Sequence, residues 1–191
     1  GPNGGEIQGA KAHAPAAQID VLKPAQWRAL TAEQFMTYHA IILGDGACRS
    51  GTDPFQAAVD TRSRWGAIVD GNVVILSTDP NNNDTPALVE NAIRFVLETA
   101  QSRTGMYISL GCAYRDAPAN TPVPLLEPFG EFHVQGVPGC APTGHLFQMS
   151  PSELSDNLSD EQLPGDGCAA RSVFTRYPEH TFAFAAIATS P

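Results

Sequence analysis

The sequence predicts an α/β protein, a three-layer sandwich built on a short and mostly parallel central sheet. Three observations predict it. Continuous apolar runs recur at residues 38–43 (YHAIIL), 72–76 (NVVIL) and 106–110 (MYISL), and such runs mark strands covered on both faces. Segments with helical spacing separate them. Each run stops at a turn signal: Gly44-Asp45-Gly46, Ser77-Thr78-Asp79-Pro80 or Gly111-Cys112. Alternation of strand and helix argues for parallel strands joined by right-handed crossovers.

Taken in order, residues 1–5 read as flexible, and Gly1-Pro2 resembles the scar of a cleaved tag, so that a natural leader could have been removed. Residues 6–14 suit a short helix ended by Pro15. Residues 19–22 (IDVL) read as a first strand, closed by Pro24. Thr31 and Gln34 form a capping-box pattern that opens one helical turn. Residues 54–66 read as a helix with Phe55, Ala58, Val59 and Trp65 on one face. The helix from Pro86 to about Ser102 is the clearest element, with Thr85 as cap and proline at the first position. Four strands therefore lead to residue 110. Residues 116–170 are rich in Pro, Gly, Ser and Asp and read as an irregular, loop-rich insertion within one domain spanning 6–191. Within it, residues 129–137 suggest a strand or hairpin and 145–149 a short strand, while 152–163 offer one or two helical turns. The apolar tail 182–188 (FAFAAIA) suits a final buried strand.

Composition narrows the function. The chain has 191 residues and a formal net charge of −9. Nucleic acid and anionic membranes would be repelled, and no basic cluster offsets this. No apolar run approaches the roughly 18–20 residues that span a bilayer, so membrane insertion is not expected. Four cysteines, Cys48, Cys112, Cys140 and Cys168, suit two disulfides with three alternative connectivities. None forms a CxxC pair, no spacing matches a structural zinc site, and the five histidines show no metal-binding pattern. Neither a metal nor another cofactor is expected. Two glycosylation-type triplets occur, at Asn83 and Asn157.

In open α/β sheets ligands bind beyond the carboxyl ends of the strands. That edge gathers Asp45, Asp79, Tyr114 and Asp116 as candidate ligand-binding residues; each aspartate equally suits a turn. Cys112, directly after a strand and a glycine, is the candidate nucleophile, with His180 as base and Glu179 beside it. Against this, a nucleophile elbow wants a small residue where Tyr114 stands, and Pro118 and Pro122 break the helix that should follow. A disulfide is the alternative fate of Cys112. Gly44-x-Gly46 lacks the third glycine and the immediate helix of a dinucleotide fingerprint.

The stretches QWRALTAEQFMTYHAIILGDGAC, WGAIVDGNVVILSTDP, TGMYISLGCAY and TPVPLLEPFGEF look like a domain of large secreted proteins, where it stands beside immunoglobulin-like modules. More distantly, the layout is similar to the flavodoxin-like, class I glutamine amidotransferase-like fold, including its trehalose-utilisation (ThuA-like) branch. The first resemblance implies an extracellular or cell-surface setting. It also implies disulfides Cys48–Cys112 and Cys140–Cys168. The first functional expectation is a non-catalytic role in recognition, adhesion or scaffolding, monomeric as an isolated domain, with a glycan or another extracellular protein as partner. The second resemblance implies an amidase or hydrolase using Cys112 and His180. A carbohydrate-binding module using Asp45, Asp79 and nearby aromatic residues is a third expectation.

Overall fold

The structure, a computed structural model, describes residues 5–44, 53–77, 86–141, 145–146, 154, 156–162, 170–178 and 188–189. Its centre is a three-stranded parallel sheet. Strand β1 is Ala40–Leu43, β2 is Val69–Leu76 and β3 is Thr104–Ser109, and their order is β1-β3-β2. The last strand in sequence thus occupies the middle, and every residue of β3 is buried. Side chains alternate along the strands. Ile41, Met106, Ile108 and Ile75 enter one core, and Ile42, Tyr107, Val74 and Leu76 enter the other.

Helices cover both faces. The path from β1 to β2 steps across the sheet in one direction, and the path from β2 to β3 steps back. Right-handed crossovers of opposite direction put their helices on opposite faces, and the packing agrees. Helices α4 (Asp53–Asp60) and α5 (Arg62–Trp65) bring Ala58 and Trp65 to the first core. Helix α6 (Pro86–Leu97) brings Ala92, Ile93 and Val96 to the second, where α1 (Gly5–His13) packs beside it through Ala10. Between α1 and β1 lie α2 (Pro24–Ala29) and α3 (Ala32–Phe35), the latter opened by the Thr31–Gln34 capping box.

A second, antiparallel sheet follows, in the order β4-β5-β7, from β4 (Thr121–Pro122), β5 (His133–Ala141) and β7 (Ala170–Arg176). Its inner residues Val134 and Phe174, with Phe132, close the first core, together with the 3-10 helix Pro124–Phe129. A small antiparallel pair joins β6 (His145–Leu146) to β8 (Ala188–Thr189). Residues 154 and 156–158 dock on α6. The Asn91 amide donates to the carbonyls of Leu154 and Asp156, Arg94 pairs with Asp156 at 2.8 Å, and Leu154 and Leu158 pack on the second core.

The fold is thus a mixed α/β protein with a parallel sheet, as expected, but several elements differ from the sequence reading. Residues 19–22 are not a strand. Val21 is exposed, and Asp20 instead accepts from the Tyr38 hydroxyl at 3.0 Å and the Gln18 amide. β-propensity without a neighbouring strand does not make one, so three parallel strands stand where four were expected. The helix expected over 54–66 is divided at Thr61, whose hydroxyl donates to the Ala57 carbonyl at 2.9 Å and accepts from the Trp27 indole at 2.7 Å. Such back-bonding competes with the helix ladder. Helix α6 ends at Leu97, short of Ser102, because Asn72 of β2 reaches its last turn: the Asn72 amide side chain donates to the Phe95 carbonyl and its backbone N–H to the Thr99 hydroxyl. The strand expected from residue 129 begins at His133; the residues before it, Pro124–Phe129, are 3-10 helix. Strand β7 is absent from the sequence reading. Of the expected tail strand, residues 182–187 lie outside the described residues, as does Thr85.

Trp65 is fully buried, donates its indole N–H to the Ala58 carbonyl at 2.9 Å and packs on Phe129 with ring centroids 6.1 Å apart. Trp65→Ala is expected to cost about 3–5 kcal/mol, measured as the fall in unfolding free energy in urea.

Candidate functional site at the carboxyl edge

The register brings the ends of the three parallel strands together. Leu43 lies beside Ile108, and Leu76 beside Ser109. The exits Gly44, Ser77 and Leu110-Gly111-Cys112 therefore share one edge. The Leu110 N–H donates to the Leu76 carbonyl at 2.8 Å, which carries the ladder one residue beyond the strands. This edge is the general ligand-binding position of open α/β sheets.

After β3 the chain makes turns. Gly111 has φ 49°, the left-handed region that glycine tolerates. Ala113, Arg115 and Ala117 donate back to the carbonyls of Leu110, Cys112 and Tyr114. No helix follows the cysteine, so the strand–turn–helix geometry of a nucleophile elbow is absent here. The sulfur of Cys112 is held in a disulfide and carries no titratable thiol. Cys48 and Cys168 lie outside the described residues. Cys140 is a backbone position in β5.

Tyr114 and Asp116 sit on this same turn. The Tyr114 ring packs edge-on against Phe55 with centroids 5.9 Å apart, and desolvation pushes its phenol up to about 12. Its hydroxyl therefore remains a hydrogen-bond donor throughout the physiological range. Asp116 is well exposed and pairs with Arg115 at 3.0 Å, an exposed pair of little energetic weight. Asp45, Asp79, Glu179 and His180 lie outside the described residues, so of the predicted set the structure brings together Cys112, Tyr114 and Asp116.

The antiparallel sheet leans on this edge. The Gly136 N–H of β5 donates to the Ala117 carbonyl at 2.9 Å, and a Cβ at Gly136 would lie 2.4 Å from the Arg115 carbonyl oxygen. Only glycine lets β5 approach the turn this closely. From β7, the fully buried Ser172 donates its hydroxyl to the Ser77 carbonyl at 3.2 Å. On the other side of the sheet, Glu6 in the first turn of α1 lies against Gly44. Neither Ser172 nor Glu6 stood out in the sequence. An acidic residue in a first helical turn reads as a partner of the helix dipole, and the β-branched and aromatic run Val173-Phe174-Thr175 is the one local signal for β7.

Among the described residues, no group of three or more His, Cys, Asp or Glu side chains could hold a metal ion, and no helix is long and apolar enough to cross a membrane. Comparison with protein-family profiles, curated proteins and solved structures yields no match.

The raised phenol has a consequence for stability. The Tyr114 value in the folded chain, about 12, lies above its ordinary value of 10.0. Folding therefore favours the neutral phenol. Its contribution is complete below about pH 10, where the unfolded phenol is still protonated, and is lost as pH rises towards 12. Tyr114→Phe is expected to flatten the fall in urea midpoint between about pH 10 and pH 12 relative to the unsubstituted protein.

Proposed function

We propose that the chain is a non-catalytic recognition module of a larger extracellular protein, with a flavodoxin-like, amidotransferase-like scaffold and a binding surface along the carboxyl edge of its parallel sheet. The observation that carries this reading is the disulfide at Cys112. The residue stands where a nucleophile would be presented, directly beyond the buried central strand, yet its sulfur is already bonded. Thiolate, not disulfide sulfur, is the attacking species. The turn that follows, the contact of Tyr114 with Phe55 and the close approach of Gly136 make this corner a braced structural element. An acidic net charge of −9 favours partners that are neutral or cationic. The disulfide also fits an oxidising compartment.

Alkylation with iodoacetamide under denaturing, non-reducing conditions, followed by peptide mapping, is expected to leave Cys112 unlabelled and to reveal the peptide bonded to it. Reduction is expected to cost about 3–4 kcal/mol of stability, the usual entropic effect of opening a loop of tens of residues, read as a fall in melting temperature. A Cys112 thiol that reacts in the native, unreduced protein with a depressed pKa would overturn the reading and restore the hydrolase.

A further inference from the structure

Glu6 is more than nine-tenths buried, at 8% exposure. Its Oε1 is sealed from solvent and has no hydrogen-bond partner. No ion pair engages the carboxylate among the described residues. Elsewhere in those residues carboxylates near cations are engaged: Asp53 and Asp60 by Arg28, Glu127 by Arg62, Asp156 by Arg94, Glu131 by Arg176. A buried carboxylate without a partner is costly, and natural proteins keep such groups chiefly where something else compensates them.

Its position says where that compensation would come from. A Cβ at Gly44 would lie 2.9 Å from Oε1 and 3.1 Å from the carboxyl carbon. The carboxylate is thus laid against the first residue after β1, on the edge where open α/β sheets take their ligands. The first turn of α1 supports negative charge at this point. A neutral hydroxyl would leave the charge uncompensated, whereas a cation cancels it, and the net charge of −9 draws cations to the surface.

We propose that Glu6 is a ligand-binding residue that receives a primary ammonium group, with the missing side chain at Gly44 letting its carboxylate lie against the end of β1. The inference rests on the recognition reading above and names the ligand chemistry of that same edge. An ammonium donates up to three hydrogen bonds, one of them to the unused Oε1, which a small shift of α1 or of the chain at Gly44 uncovers.

The test uses ethylammonium chloride as probe, with sodium chloride at equal ionic strength and methyl glucoside as controls, and follows binding by NMR titration of the intact chain. Ethylammonium is expected to perturb the amides of Glu6 and Gly44 saturably while neither control does. Glu6→Gln, which keeps the shape and removes the charge, is expected to weaken that response at least tenfold. It is also expected to raise the melting temperature of the ligand-free protein, because it relieves an uncompensated buried charge; a purely structural glutamate would lower it. Glu6→Asp, which keeps the charge but withdraws it by one methylene, is expected to lose affinity as well, and serves if the glutamine variant does not fold. Equal binding by the variants, no saturable response to ethylammonium, a response to methyl glucoside alone, or a lower melting temperature in Glu6→Gln would each overturn the assignment. Those outcomes leave the bonding state of Cys112 untouched, so failure here is distinguishable from failure of the recognition reading.

Discussion

Six consecutive buried residues, Thr104–Ser109, impose the constraint on which the structure depends. A strand buried on both faces and flanked on both edges must satisfy two cores and two hydrogen-bond ladders at once. Met106 and Ile108 serve one core and Tyr107 the other, while β1 and β2 supply the ladders. Because β3 is the last of the three in sequence but the middle one in space, neither neighbour can complete its pairing until the chain has travelled to β2 and back through α6. That return forces the crossover helices onto opposite faces, and the level register then collects the three exits on one edge.

The edge is consequently crowded from two sides. The antiparallel sheet arrives over the turn after β3, pinned by Gly136 on Ala117 and by Ser172 on Ser77. Helix α1 arrives from the opposite core and sets Glu6 against Gly44. The two contacts from the antiparallel sheet are hydrogen bonds made where a parallel sheet would otherwise present unpaired backbone, and the buried donors and acceptors of strand ends require partners of this kind. The sulfur of Cys112, bonded rather than free, belongs to the same bracing. A carboxylate left without any such partner is the exception in this neighbourhood, which is why it carries the chemical inference.

Legibility in the sequence followed the range of the interaction. The runs at 38–43, 72–76 and 106–110 and the stripe of α6 depend on local periodicity and were readable to within a few residues. The Thr31–Gln34 capping box is equally local and is present. Residues 19–22 misled because IDVL has strand-like composition, yet among the described residues no strand pairs with Val21. The break at Thr61 depends on Trp27, 34 residues earlier, and the early end of α6 depends on Asn72, 23 residues before the carbonyl it bonds. No window of sequence contains both partners. Strand β7 exists because β5 pairs with it, and β5 is itself displaced by the 3-10 helix before it. Of the candidate site, the sequence placed Cys112, Tyr114 and Asp116 on one turn but gave no sign of Ser172 or Glu6.

The sequence by itself determined that the chain alternates helices with largely apolar strands, that these strands run parallel, and that their turn-marked exits share an edge, because the periods of helix and strand and the handedness of crossovers are local properties of an L-polypeptide. Tertiary structure alone decided that β3 lies between β1 and β2, that a second sheet braces the exit of β3, and that an acidic side chain from the first helix rests beside Gly44. Those outcomes turn on which distant surfaces fit and which polar groups find partners, and that is fixed only when the whole chain is packed.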